Sequence, residues 1–332
     1  MRAVYFSGSN NPLSIKEIEK PKLGKNQVLV KLRNAALNHH ELWMQKEQEQ
    51  IMQDQVILGS DGSGTVEAVE AEDDHFLIGK EVVINPSLDW GKNPAVQAHS
   101  FSILGYPANG TFSDYIAISK KQIFEKPEHL SFEEAAAIPL AGLTAYRALF
   151  TKVKLRRSEK VLITGIGGGV ALFALQFALS FDARVYVTSS LDDKLAMARD
   201  MGASGGYNYK DPEWVKKISK ETGGFDVIID SAGGKNFSQL LELAYPGARI
   251  ALYGRGAGTI SDISPKTIFW KQLSIFGSTM GTEDEFLSML DFFCKHQLKP
   301  IIDSSFPLEN VADAFKRMDQ GDQFGKIVLS IS

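Results

Sequence analysis

The stretch "KVLITGIGGGVALFALQFA" (residues 160–178) decides the fold. A short apolar run ends at Thr164, a glycine-rich turn follows, and a second apolar segment continues from it. Read as strand, turn and buried helix, it opens a βαβ unit. Read as one continuous helix, residues 161–181 are apolar enough to imitate a membrane span. The glycines, Thr164 and Gln176 interrupt that second reading, so no membrane segment is expected. Apolar strands recur at 184–188, 226–230, 249–254 and 273–277, with helical stretches between most of them. That alternation calls for an α/β fold with a parallel, doubly wound sheet.

Upstream of about residue 125 the texture changes. "AVYF", "QVLVKL", "SGTVEAVE", "GKEVVI" and "TFSDYIAIS" are short β-rich runs separated by turns. They predict a small antiparallel, barrel-like domain. Residues 85–110, rich in Asn, Pro and Gly, form a long connection of the kind that is usually functional or a relic of function. "SFEEAAAIPLAGL" opens with Ser131 and Glu134 at capping-box spacing. "EDEFLSMLDFFCKHQ" reads as an amphipathic helix with core phenylalanines, in which Cys294 is a small apolar residue. "GKIVLSI" reads as a closing strand.

The 332 residues suit two domains, and 44% hydrophobic content supports a sizeable core. The formal net charge of −4 offers no basic field for nucleic acid or an anionic membrane. Lys210, Lys216, Lys217 and Lys220 are interleaved with Asp211 and Glu213, which reads as a solvated helix face. The single cysteine excludes a disulfide framework and a cysteine zinc site. "MRAVYFSGSN" lacks the apolar core of a signal peptide, so a cytoplasmic protein is expected.

The glycine turn has a chemical reading. Backbone N–H groups and a helix N-terminus can receive a pyrophosphate, and glycine lets the backbone come close. The strict G-x-G-x-x-G spacing is absent: Gly165, Gly168, Gly169 and Ala171 lie in a pattern one residue longer. A tight turn without a ligand is the bland alternative. The second strand is an independent check, because an NAD site expects an acidic residue near its end. Here Ser189 and Ser190 stand there, followed by Lys194. Two hydroxyls and an ammonium suit a 2′-phosphate, so NADPH is favoured over NADH. Asp192 and Asp193 are assigned to the first turn of the next helix, where acids suit the dipole. Ser190 can equally be that helix's N-cap.

With "ALNHHEL", "LGSDGSGTV", "GTFSDYIAI", "AAAIPLAGLTAYRAL", "VLITGIGGGVALFALQFA", "GASGGYNY", "FDVIIDSAGG" and the terminal "GKIVL", the whole chain resembles the medium-chain dehydrogenase/reductase superfamily, in particular its zinc-free quinone-reductase-like branch. The resemblance implies a GroES-like catalytic domain (1–124 and 279–332) and a central Rossmann domain (125–278). It places Gly165, Gly168, Gly169 and Val170 at the pyrophosphate, and Ser189 and Lys194 at the 2′-phosphate. Tyr209 would lie at the adenosine end. Gly254, Arg255, Phe324, Gly325 and Lys326 would face the cofactor from other sides, with Thr144 near the nicotinamide. A homodimer is implied, paired through the strand near 273–277.

The same resemblance decides what "NHHE" (38–41) is expected to do. Metal-dependent members carry a cysteine where Asn38 stands, a Gly-His-Glu where Gly59-Ser60-Asp61 stands, and a second cysteine within 139–143. Residues 85–110 lack the four cysteines of a structural zinc. No zinc is therefore expected. A private site from His40, Glu41 and Asp61 is conceivable, but adjacent histidines lack the i, i+4 spacing that puts two ligands on one helix face.

Without a metal, charge growing on a substrate oxygen needs hydrogen-bond donors. Asn38, Thr144 and His40 are the candidates, and His40 can also relay a proton. Asn38 is expected to position substrate or nicotinamide; His39 reads as a solvent or cofactor contact. Trp43, Trp90, Phe112 and Leu140 can line an apolar pocket or simply be core. The expected activity is hydride transfer from NADPH to a small activated acceptor, a quinone or an α,β-unsaturated carbonyl. The alternatives are an alcohol dehydrogenase with a non-standard zinc site and a non-catalytic NADPH sensor or scaffold.

Overall fold

The computed structural model describes residues 1–9, 11–47 and 55–331. The chain divides into two compact units, Met1–Leu143 with Gly281–Ser332, and Thr144–Met280. The sequence reading draws the first boundary at 124/125, the contacts at 143/144. The difference arises because helix Phe132–Ala136 packs on strands Gln27–Ala36 and Asp61–Val69. Its capping box forms as the spacing predicts: Glu134 N–H donates to Ser131 Oγ (3.1 Å), and Ser131 N–H to the Glu134 carboxylate (2.8 Å).

In the second unit six strands pair in the order Gly205–Asn208, Arg184–Ser189, Lys160–Ile163, Phe225–Asp230, Ala244–Leu252, Ser274–Gly277, all parallel. The central strands are covered on both faces, so Val161, Leu162 and Ile163 are fully buried, as are Val227, Ile228 and Ile229. This is why they read as unbroken apolar runs. The apolar stretch that imitates a membrane span is strand Lys160–Ile163, a turn, and the 12-residue helix Gly169–Ser180. Among the described residues no helix is long and apolar enough to cross a membrane.

In the first unit a seven-stranded sheet holds Ile123–Glu125, Glu81–Ile84, Asp61–Val69, Gln27–Ala36, Lys326–Ser330 and Ile302–Pro307 in that order, and Tyr115–Ser119 also pairs with Gln27–Ala36. The C-terminal strand thus joins strands formed before residue 70. Trp90 and Phe112 are core rather than pocket lining: Trp90 is buried against Phe101, and Phe112 meets Phe315 edge-on. Phe286 and Phe293 of helix Glu283–His296 are core as expected, whereas Cys294 on the same helix is exposed.

One ion pair in this unit ties the segment before the last strand. Arg317 grips Asp303 with Nε and Nη2 (3.0 and 2.9 Å), and Phe324 N–H donates to the same carboxylate (2.9 Å). Burial by itself would raise the Asp303 pKa, but the Arg317 guanidinium, the Phe324 N–H and the Ser304 hydroxyl hold it below the usual carboxylate range. A depressed carboxylate adds stability above its unfolded pKa, and that stability disappears as pH falls through its folded pKa. Asp303→Asn is expected to cost about 1–2 kcal/mol at neutral pH, a figure reduced because Arg317 is partly exposed. Urea titrations at several pH values should show the difference shrinking in acid. A cost unchanged down to pH 3 would assign it to packing.

Candidate active site

Three sequence-distant segments meet in the first unit because of strand register. Strand Gln27–Ala36 pairs antiparallel with Asp61–Val69, which sets Ala36 opposite Asp61. On its other side it pairs with Lys326–Ser330, which sets Ala36 opposite Val328. Leu37 N–H extends that ladder to the Ile327 carbonyl (2.9 Å). Two residues past Ala36, Asn38 therefore lies across from Lys326 and beside Ser60 and Asp61. Helix His39–Glu47 starts immediately afterwards.

The side chains close on one another. Glu41, 1% exposed, accepts from Asn38 N–H (2.8 Å), Ser60 N–H (2.8 Å) and the Ser60 hydroxyl. Asp61, fully buried, accepts from Leu140 N–H (2.8 Å) with one oxygen. Its other oxygen accepts from Asn38 Nδ2 (2.8 Å) and Lys326 Nζ (3.0 Å). Asn38 Nδ2 also donates to Ser60 Oγ (3.0 Å), and Lys326 Nζ donates to Asn38 Oδ1. The amide orientation is chemically forced, since an ammonium only donates and a carboxylate only accepts.

This arrangement bears on two expectations. Both Asn38 amide protons are engaged inside the protein, so the residue has no free donor for a substrate oxygen. Lys326 is 4% exposed and paired with Asp61, so its ammonium already has internal partners. The places where metal-dependent relatives carry ligands do converge here, but the set is a carboxamide, a serine hydroxyl and two carboxylates, Glu41 and Asp61, whose oxygens are already taken by internal donors, with an ammonium among them. A cation beside non-thiolate, non-imidazole groups does not fit zinc. Among the described residues no group of three or more His, Cys, Asp or Glu side chains could hold a metal.

His39 is exposed and tilted against Trp43, as its bland reading holds. His40 differs: its Nε2 is buried and has no hydrogen-bond partner among the described residues. Buried polar atoms are nearly always paired, so this nitrogen calls for an explanation.

In the second unit, strand Lys160–Ile163 has Arg184–Ser189 on one side and Phe225–Asp230 on the other, where the strand order reverses. Ligands of open parallel sheets bind at the carboxyl ends of strands at such a point. Gly165 (φ +66°) and Gly167 (φ +124°) make the turn in backbone regions that favour glycine. Gly167, which the spacing argument passes over, has the φ farther from what other residues adopt. Helix Gly169–Ser180 begins after Gly168, and no side chain caps it. A Cβ on Gly168 would meet nothing within 4 Å, leaving space over first-turn N–H groups that include Gly169 and Val170. The residues fit a pyrophosphate.

A hydrogen-bonded brace holds this turn. Thr164 Oγ1 donates to Asp230 (2.6 Å) and accepts from Ser231 N–H (3.1 Å), while Gly233 N–H donates to Asp230 (2.8 Å). Burial pushes the Asp230 carboxyl above its ordinary pKa, partly offset by those donors. Gly254 packs so closely that an added Cβ would lie 2.3 Å from the Ser231 carbonyl oxygen, and Arg255 beyond it is exposed.

Ser189 and Tyr209 come together at adjacent strand ends, Tyr209 N–H donating to the Ser189 carbonyl (3.0 Å) with its ring exposed. Ser189 Oγ accepts from Leu191 N–H (3.2 Å). Asp192 and Asp193 do occupy the first helical turn, but the N-cap is Leu191 without a side-chain cap, so Ser190 does not fill that role. Lys194 is buried in the same helix. Thr144 is buried in the second unit, its hydroxyl 3.9 Å from Met280 Sδ. In the first unit Phe324 is buried, and Gly325 (φ +133°) passes where a Cβ would meet the Ile301 carbonyl at 2.5 Å.

Sequence and structure comparisons agree with this geometry. The alcohol dehydrogenase GroES-like domain family matches residues 24–128, and the zinc-binding dehydrogenase family matches 169–295. The chain is 34% identical to "Zinc-type alcohol dehydrogenase-like protein YogA" of Leptosphaeria maculans, over 96% of this chain and 95% of the relative. It is 28% identical to human quinone oxidoreductase, over 99% and 97%. A crystal structure of an NAD-dependent alcohol dehydrogenase superposes with a TM-score of 0.93 at 35% identity, covering both chains fully. A two-unit α/β fold with a GroES-like unit and a six-stranded parallel sheet defines a class of dinucleotide-fold enzymes. The chain belongs to the medium-chain dehydrogenase/reductase superfamily of oxidoreductases.

Proposed function

We propose that the protein is an NADPH-dependent oxidoreductase that passes hydride to an activated acceptor, a quinone or an α,β-unsaturated carbonyl, without a catalytic metal. The observation that carries this reading is the Asn38–Asp61–Lys326 cluster, whose positive charge is an ammonium. A ketone without conjugation needs strong electrophilic help, which zinc supplies in relatives that hold one; a quinone or enone needs little. The kinship to a quinone oxidoreductase supports the same class.

Bound nicotinamide would supply the hydride. Gly165, Gly168, Gly169 and Val170 would receive the pyrophosphate, Ser189 and Lys194 the 2′-phosphate, and Tyr209, Gly254 and Arg255 the remaining cofactor edges. Thr144 would orient the reacting ring. His40 would hold or release a proton at Nε2 as charge grows on the acceptor oxygen.

A second reading, NADH with an alcohol, draws on the solved relative named as NAD-dependent. Calorimetry of NADPH against NADH, on protein of known metal content, separates the two. Removal of a 2′-phosphate partner costs about 1.5–3 kcal/mol per charged hydrogen bond, so NADPH is expected to bind tenfold or more tightly. Turnover of quinones and enones should persist in chelator. Tighter NADH binding, or one zinc per chain, would defeat the proposal.

A further inference from the structure

We propose that Lys326 is a positioning residue, an internal cation that orients Asn38 and sets the start of the helix carrying His40, and not a cofactor contact. The inference rests on the reading above only in taking His40 as the group that acts on the acceptor.

The cluster has a single direction. Lys326 donates to Asn38, Asn38 donates to Ser60, and Ser60 donates to Glu41. Glu41 in turn fixes Asn38 N–H at the first turn of helix His39–Glu47. Reversing any one member turns a donor toward a donor. The ammonium at the head of the chain sets the sense of all the bonds that follow, because it alone has no acceptor option. Asp61 binds the ammonium, the carboxamide and Leu140 N–H together, so three chain segments share one carboxylate. His40 lies between Asn38 and Glu41 in sequence, inside the turn this network clamps. Its Nε2 has no hydrogen-bond partner among the described residues, so no bond of its own fixes it.

A residue with this placement is distinguished from a phosphate contact by which constant moves when it is changed. Lys326→Met should leave NADPH affinity within about threefold and lower kcat for a quinone at saturating NADPH by tenfold or more. NMR resonances of the His40 ring, assigned with His40→Gln, read the positioning without turnover, and they should shift in Lys326→Met. The double variant Lys326→Met, Asp61→Asn removes both charges. It is the fallback if the single variant does not fold, because a pair neutralised together leaves no buried charge unpaired. The loss of kcat and the displaced His40 resonances are expected in it too, since the donor chain into Asn38 is broken in both. A thirtyfold or larger loss of NADPH affinity with kcat unchanged would overturn the proposal and make Lys326 a phosphate contact. Unmoved His40 resonances would overturn it as well. If the parent protein reduces neither quinones nor enones, the functional reading fails, while the NMR comparison still decides the role of Lys326.

Discussion

Glu41→Gln is expected to lower the stability of the first unit by about 2–4 kcal/mol, among the largest losses for a change of one atom. Both carboxylate oxygens are engaged, one by Asn38 N–H and the other by the Ser60 N–H and hydroxyl. Glutamine keeps one acceptor and turns an NH₂ toward a buried backbone N–H. At least one donor then loses its partner, at about 1–3 kcal/mol, and the facing N–H groups repel. Glutamate suits this place because it offers acceptors on both sides. Urea unfolding, followed by hydrogen exchange in residues 27–47, measures the loss locally and avoids treating two units as one transition. A variant as stable as the parent but depleted of a bound metal would instead restore the reading of Glu41 as a ligand.

What the sequence could reveal follows from the range of each interaction. The central strands of the parallel sheet are legible because burial on both faces leaves apolar runs such as 161–163 and 227–229. The edge strand Gly205–Asn208 is not, since two glycines and an asparagine carry no such signal. The capping box at Ser131 is legible because its partners are three residues apart; the same motif at Thr282 and Glu285 could have been found in the same way. The Lys326–Asp61 pair spans 265 residues and depends on two strand registers at once. Reading "GKIVL" by resemblance assigns that lysine to the cofactor, and only the ladder through Ala36 shows where it goes. For Asn38 the sequence shows that an amide stands at this position, not that its donors are already engaged.

His40→Gln should lower kcat for an enone by about 10²-fold at neutral pH, the lower end of what a positioned proton donor contributes. NADPH affinity and stability should change little, because Nε2 has no hydrogen-bond partner among the described residues. Glutamine retains hydrogen-bonding ability but cannot exchange a proton near neutral pH, so the variant separates proton relay from polarity. The effect should therefore fall on kcat and not on KM. A quinone gives a useful contrast. Its reduced form is a stable anion that can take its proton from water after hydride transfer, so the loss should be smaller than for an enone. Equal losses for both acceptors would point to His40 shaping the pocket rather than moving a proton. An enone kcat within twofold of the parent would reduce the unpartnered nitrogen to a packing fault.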